Sequence, residues 1–139
     1  MKPLSIHDLE IGMKAEFSKQ ISEKDITTFA EITGDFNPIH FDESYAKTTR
    51  FRKPIAHGVI TAGLISAVIG TKLPGPGAIY IKQSLHFLKP VYPGDNLTAY
   101  VEVQEVDIKK NRVNLKTGCI NQNFETVAEG ESILLPHIN

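Results

Sequence analysis

The sequence predicts an α+β domain: an antiparallel sheet of about five strands with one long apolar helix lying across its inner face. Three observations predict it. His57 to Thr71, HGVITAGLISAVIGT, contains no aspartate, glutamate, lysine or arginine. Beyond Leu73-Pro74-Gly75-Pro76-Gly77, the chain reads as one alternating segment after another, separated by short turns. The helical spacings are gathered in the first half, an order that suits segregated helices and strands.

The elements follow in order. From Met13 to Ile21, Met13, Ala15, Phe17 and Ile21 fall on one side, with Lys14, Glu16, Ser18 and Gln20 on the other, which is a half-buried strand. Ser22 with Asp25 three residues on resembles a capping box, Ile26, Phe29 and Ala30 give helical spacing, and Gly34 is the expected stop. In Asp35-Phe36-Asn37-Pro38-Ile39-His40, Pro38 drives Asn37 out of the α region and makes a loop. Asp42 is placed to cap a short helix through Tyr45 and Ala46.

His57 to Thr71 is too long for an ordinary strand and reads as helix. Apolar all round, it is expected to be buried all round. Gly63 within it costs about 1 kcal/mol relative to alanine, which a closely packed neighbour on that face would offset. Four strands are expected after it. Ile79 to Phe87 aligns Ile79, Ile81, Leu85 and Phe87, and Leu97 to Val106 aligns Leu97, Ala99, Val101 and Val103. Val113 to Ile120 follows a polar turn, and Phe124 to Leu135 places Ala128, Gly130 and Ser132 on one side, making room for a helix. Short turns make these strands antiparallel neighbours.

Composition narrows the function. The chain has 139 residues, 41% apolar and 22% charged, which is one globular domain spanning 1–139 and not a two-domain enzyme. Lysine and arginine total 15 against 16 aspartates and glutamates, a net charge of −1 that offers no field for a phosphate backbone, so no nucleic acid is expected. The lone Cys119 excludes an intrachain disulfide, and its place on the apolar side of a strand makes it a core residue. No apolar run approaches the roughly 20 residues of a membrane span, and the N-terminus does not read as a signal peptide, so a cytoplasmic protein with no membrane partner is expected.

Two clusters carry chemistry. Asp35 and His40 share one bent loop, and a carboxylate and an imidazole that reach one water can move protons both ways. Ala56-His57-Gly58 opens the apolar helix, where free N–H groups carry partial positive charge and Gly58 has no side chain to block an oxyanion. Helical spacing puts Gly58, Ala62, Ser66 and Ile69 on one face, a lining for a narrow acyl pocket with Ser66 as its polar contact. Each residue alone has a plainer reading. Asp35 would cap backbone N–H groups, Ser66 would bond to a carbonyl one turn earlier, Gly58 would serve packing, and His57 would be only an N-terminal helix residue. His7, His86 and His137 fall outside any pattern. No two of the five histidines show ligand spacing, so no metal is expected.

Taken together, Ile32-Thr33-Gly34-Asp35-Phe36-Asn37-Pro38-Ile39-His40 and Pro54-Ile55-Ala56-His57-Gly58 resemble the MaoC-like dehydratase family, and within it the R-specific enoyl-CoA hydratases of the hydratase 2 type. Gln83 to Phe87, Pro90-Val91 and Gly94-Asp95 are also similar to the family, so the resemblance covers nearly the whole chain. It implies a hot-dog fold, with Asp35 and His40 as the catalytic pair, Gly58 N–H on the thioester oxygen and Ser66 as a polar helix residue nearby. Asn37 would shape the loop, and Ile69 and Leu134 would floor the acyl pocket beside Ala62. The implied reaction is reversible syn hydration of a trans-2-enoyl-CoA to an (R)-3-hydroxyacyl-CoA. It uses an activated water and no cofactor, and leaves open which of the pair is acid and which base. One departure is visible: Arg50 precedes Phe51 where many members carry glycine, which bears on substrate preference. Arg50, Arg52 and Lys53 are the candidate cations for the CoA phosphates.

Three other readings compete: a (3R)-hydroxyacyl-acyl-carrier-protein dehydratase, a thioesterase, and a non-catalytic acyl-CoA-binding module. The complete acid–base pair favours the hydratase, and polyester precursor supply and fatty-acid oxidation use the same chemistry. The family pairs two hot-dog units, so a chain of this length is expected to form a homodimer or a higher homo-oligomer.

Overall fold

The computed structural model describes residues 1–138. Its elements are β1 (Lys14–Gln20), α1 (Glu23–Thr33), α2 (Glu43–Ala46), α3 (Ile60–Thr71), β2 (Ile79–Phe87), β3 (Asn96–Asp107), β4 (Arg112–Ile120) and β5 (Thr126–Leu135). The strands form one antiparallel sheet in the order β1-β3-β4-β5-β2, so β1 and β2 are its edges. This is the α+β hot-dog arrangement the pattern predicts, with α3 as the sheet's filling.

Local chemistry starts and stops the helices. The Ser22 side chain accepts from Asp25 N–H at 3.1 Å, and Ser22 N–H donates to Asp25 Oδ2 at 2.9 Å. Such a cap contributes about 1 kcal/mol. Gly34, at φ 82°, ends α1 in the left-handed region with its N–H on Ala30 O. Asp42 Oδ1 accepts from Tyr45 N–H at 3.0 Å and caps α2.

α3 lies chiefly over β3, with β1 and β4 beside it. Its Leu64, Ile65, Val68 and Ile69 are buried with Leu97, Ala99, Val101 and Val103 of β3 and Val113 and Leu115 of β4. Burying each large aliphatic side chain here contributes about 1.5–3 kcal/mol. Cys119 of β4 is fully buried, its thiol donating weakly to Thr61 O at 3.7 Å. That burial pushes the thiol up to about 12.

The structure corrects five expectations. α3 begins at Ile60, because His57 to Val59 form a tight turn, with Ile60 N–H on His57 O and Thr61 N–H on Gly58 O. α3 is not buried all round: Gly63, Ser66 and Gly70 are exposed, and a Cβ built on Gly63 meets nothing within 4 Å. Hydropathy registers that this face is apolar, not what covers it. In β2 a bulge at Ile81 breaks the alternation, so Tyr80 joins Gln83, Leu85 and Phe87 on one face while Ile79 turns to the other. β5 begins at Thr126, because Asn121 Oδ1 accepts from the N–H groups of Asn123 and Glu125 and prolongs the turn past Phe124. The small residues of β5 face β2 neighbours: Ser132 Oγ donates to Gln83 Oε1, and Gly130 lies where a Cβ would overlap the Ser84 carbonyl oxygen.

Candidate active site

The loop between α1 and α2 is built from side-chain-to-backbone bonds. Asp35 Oδ1 accepts from Asn37 N–H at 3.2 Å, and Asn37 Oδ1 accepts from Ile39 N–H at 3.2 Å. Pro38 opens a 3-10 turn, Pro38–His40, which His40 N–H closes on Asn37 O at 3.0 Å. Asn37 therefore shapes this loop by geometry, as an Asx turn does.

The turn delivers His40 to the segment before α3. Its Nδ1 lies 2.7 Å from Ile55 O. A carbonyl only accepts, so Nδ1 carries the proton and Nε2 keeps a free lone pair. Partial burial holds His40 below the ordinary histidine value of 6.5. The bond to Ile55 O works against that shift, the neighbouring His57 adds to it, and the Asp35 carboxylate opposes it.

His57 completes the cluster, and sequence reasoning gave it no more than a helix-start role. It is 1% exposed, and its Nε2 lies 2.9 Å from the backbone oxygen of Asp35. Its ring lies against His40 with centroids 3.8 Å apart, and against Phe29 at 4.6 Å. Its partners His40, Asp35 and Phe29 are 17, 22 and 28 residues away in sequence, so no local spacing signals them. The exposed Phe41 ring lies 6.2 Å from His40 and 6.1 Å from His57, with exposed Phe36 5.9 Å from it, and no sequence signal marks either.

Asp35, His40 and His57 bring potential ligand atoms within 4.8 Å of one another. An imidazole ligates in its own plane, and these two rings are stacked with an interplanar angle of 32°. One nitrogen of each ring is already committed to a carbonyl, so each imidazole keeps one lone pair.

Gly58 follows His57 directly. It lies one residue before the Val59 cap of α3, and its N–H finds no acceptor among the described residues. A Cβ there would lie 3.2 Å from the Phe87 ring. Gly58, Phe87, Lys89 and Arg50 line a cleft of about 170 Å³. Of the three expected cations, Arg50 alone borders this cleft, its guanidinium 4.8 Å over Phe51. Lys53 rests over Tyr92 at 4.3 Å, and Lys89, which was not anticipated, pairs with Glu125.

The acyl-pocket expectations divide. Ala62 borders an open cleft with Tyr80, Ile81, Lys82 and Gln83, and Ser66 is exposed on the same side of α3, beside the Tyr80 hydroxyl. Ile69 and Leu134 do not share that face: both sit in the main core, 2% and 0% exposed.

A sheet wrapped on one apolar helix, with an aspartate and two histidines gathered by the segment that leads into that helix, defines a protein of the hot-dog class. The MaoC like domain matches residues 8–123, and the chain belongs to that family. It is 48% identical over 134 residues to 3-hydroxybutyryl-CoA dehydratase of Methylorubrum extorquens, covering 96% of this chain and 85% of that protein. It is 48% identical over 128 residues to (R)-specific enoyl-CoA hydratase of Rhodospirillum rubrum, covering 92% and 88%. The unliganded structure of R-hydratase PhaJ1 from Pseudomonas aeruginosa superposes with a TM-score of 0.91 at 44% identity, covering 99% of this chain and 88% of that one.

Proposed function

We propose that the protein is an R-specific enoyl-CoA hydratase, a hydro-lyase that adds water reversibly to a trans-2-enoyl-CoA to give an (R)-3-hydroxyacyl-CoA. The observation that carries this reading is the convergence of Asp35 and His40 in a chain so similar to R-hydratases. The two relatives at 48% identity are named for CoA thioesters, which favours CoA over an acyl carrier protein.

The steps follow from the tautomer. The free Nε2 of His40 takes a proton from water as the water oxygen bonds to C3. The C2=C3 electrons move onto the thioester oxygen, which Gly58 N–H stabilises. Losing such a donor typically costs about 10²–10³-fold. Asp35 accepts a hydrogen bond from the water's other O–H, which stays intact, and orients it. The enolate then collapses, and C2 takes the proton that His40 received. One group serves both transfers from one side, so the addition is syn. Electron withdrawal by the thioester drives the step, and no metal or redox cofactor enters it. Arg50 at the Gly58 cleft is the cation assigned to the CoA phosphates.

The purified protein is expected to bleach the conjugated thioester absorbance of crotonyl-CoA. An R-specific hydroxyacyl-CoA dehydrogenase is expected to oxidise the product. Oxidation by an S-specific enzyme instead would remove the assignment. The pH dependence has a defined sign. Because His40 is held below 6.5, the acid limb of kcat/KM is expected to be centred below that value, where the imidazole charges. A kcat/KM profile with its acid limb centred above 6.5 would contradict His40 as base.

The proposed assembly is a homodimer. β2 is an edge strand with Ile79 and Ile81 59% and 49% exposed, and it borders one cleft with Ala62 of α3, whose outer side is open. An uncovered apolar edge of this kind invites pairing with another copy. Sedimentation equilibrium is expected to give twice the chain mass, and a monomer would refute it. The whole chain is taken as one domain acting in the cytoplasm on acyl-CoA thioesters, in fatty-acid metabolism or polyhydroxyalkanoate precursor supply.

A further inference from the structure

We propose that His57 is a positioning residue for the hydration step: its Nε2–H, donated to the backbone carbonyl of Asp35, holds the acid–base loop in register with the His40 ring. This rests on the hydratase reading of Asp35 and His40. The side chain is almost completely buried, so its orientation is fixed by packing, with Phe29 on one side and His40 on the other. The Asp35 carbonyl accepts at 2.9 Å, so Nε2 carries the proton. His57 Nδ1 is then left in the interior with no partner. A residue selected for stability alone would not leave a buried polar atom unpaired, because that costs about 1–3 kcal/mol. A phenylalanine would fill the same space without that cost. The bond to Asp35 is what the imidazole adds.

The consequence is geometric. Asp35 is exposed, and its carboxylate is tied only to a neighbouring loop N–H. The one long-range tie on its backbone is His57, from an element 22 residues away. His40 is tied to Ile55, two residues before His57. The segment Ile55 to His57 therefore fixes both members of the pair at once. Releasing the Asp35 end leaves His40 in place and lets the carboxylate drift. A misplacement of about 1 Å costs on the order of 10²-fold in rate.

The test compares His57→Phe, which keeps a packed ring but cannot donate, with His57→Gln, which loses the ring but keeps an N–H donor. With crotonyl-CoA as substrate, His57→Phe is expected to lose about 10²-fold in kcat with KM within about twofold. His57→Gln is expected to recover at least about tenfold of that loss. Equal or reversed activities of the two variants, or wild-type kcat in His57→Phe, would overturn the proposal. A second readout needs no substrate. Hydrogen exchange at the Asn37 amide, which donates to the Asp35 carboxylate, is expected to speed up in His57→Phe and not in His57→Gln, relative to β4 amides as the reference for global opening. Unchanged loop exchange in His57→Phe would overturn the positioning role. A wild-type protein inert toward enoyl-CoA would instead overturn the hydratase reading, and the exchange comparison would still decide what His57 does.

Discussion

Asp35→Asn is expected to leave a folded protein that hydrates crotonyl-CoA about 10³-fold more slowly, within the range of about 10²–10⁴-fold that positioned acid–base groups supply. The fold has little reason to respond. Asp35 is exposed, and asparagine offers the same side-chain oxygen to the Asn37 N–H. The chemistry has two reasons. The amide carries no charge, so it holds the attacking water more weakly. The negative charge that favours a proton on the neighbouring His40 also disappears, which weakens the base. The loss is expected in kcat, with the melting curve and circular dichroism unchanged. Retention of more than a tenth of wild-type turnover would remove Asp35 from the mechanism.

Gly130→Ala is expected to be the most destabilising single-methyl addition in the sheet, by about 3 kcal/mol. β5 and β2 meet here with Gly130 opposite Leu85, and the new Cβ would overlap the carbonyl oxygen of Ser84. That neighbour is backbone within a paired strand, so it cannot rotate away as a side chain would. The strand pair has to separate locally, which strains the ladder that holds Gln83 and Phe87 in place. At about 4 °C per kcal/mol for a chain of this size, the melting temperature is expected to fall by roughly 10 °C. Gly63→Ala is the internal comparison. Its Cβ meets no neighbour in the chain, and alanine improves the helix, so a lone protomer is expected to tolerate it. Equal melting temperatures for Gly130→Ala and the unmodified protein would contradict the close approach of these strands.

Much of this architecture is legible in the sequence because local rules and tertiary packing agree. The Ser22–Asp25 box, the Gly34 stop and the Asp42 cap each lie within a few residues of their partners, and each forms as its chemistry dictates. The inward row Leu97, Ala99, Val101 and Val103 is equally plain, since strand alternation places it directly. What escapes is relational. The bulge at Ile81 depends on how β2 registers against β5, and an unbroken alternation in one strand does not reveal it. The open side of α3 escapes because an apolar face reads the same whether it meets its own sheet or another molecule. In the site, Asp35 and His40 announce themselves by sharing a loop. His57 does not, because its contacts come from a different part of the chain. Ile69 and Leu134 show the converse: a residue type suited to a pocket suits a core equally well, and both are packed in the core.

The environment of Cys119 has a practical consequence for the bench. It is the chain's only cysteine, it is fully buried, and its thiol is pushed up to about 12. Thiol reagents attack the thiolate, so the native protein is silent to them at neutral pH. Coenzyme A freed by thioester hydrolysis would then be the only sulfhydryl that a colorimetric thiol reagent detects. Hydration leaves the thioester intact and gives no colour, whereas a thioesterase gives colour in proportion to turnover. The same silence makes the molecule a clean host for a single engineered surface cysteine, so that one fluorophore can be placed beside the Gly58 cleft without modifying the native background.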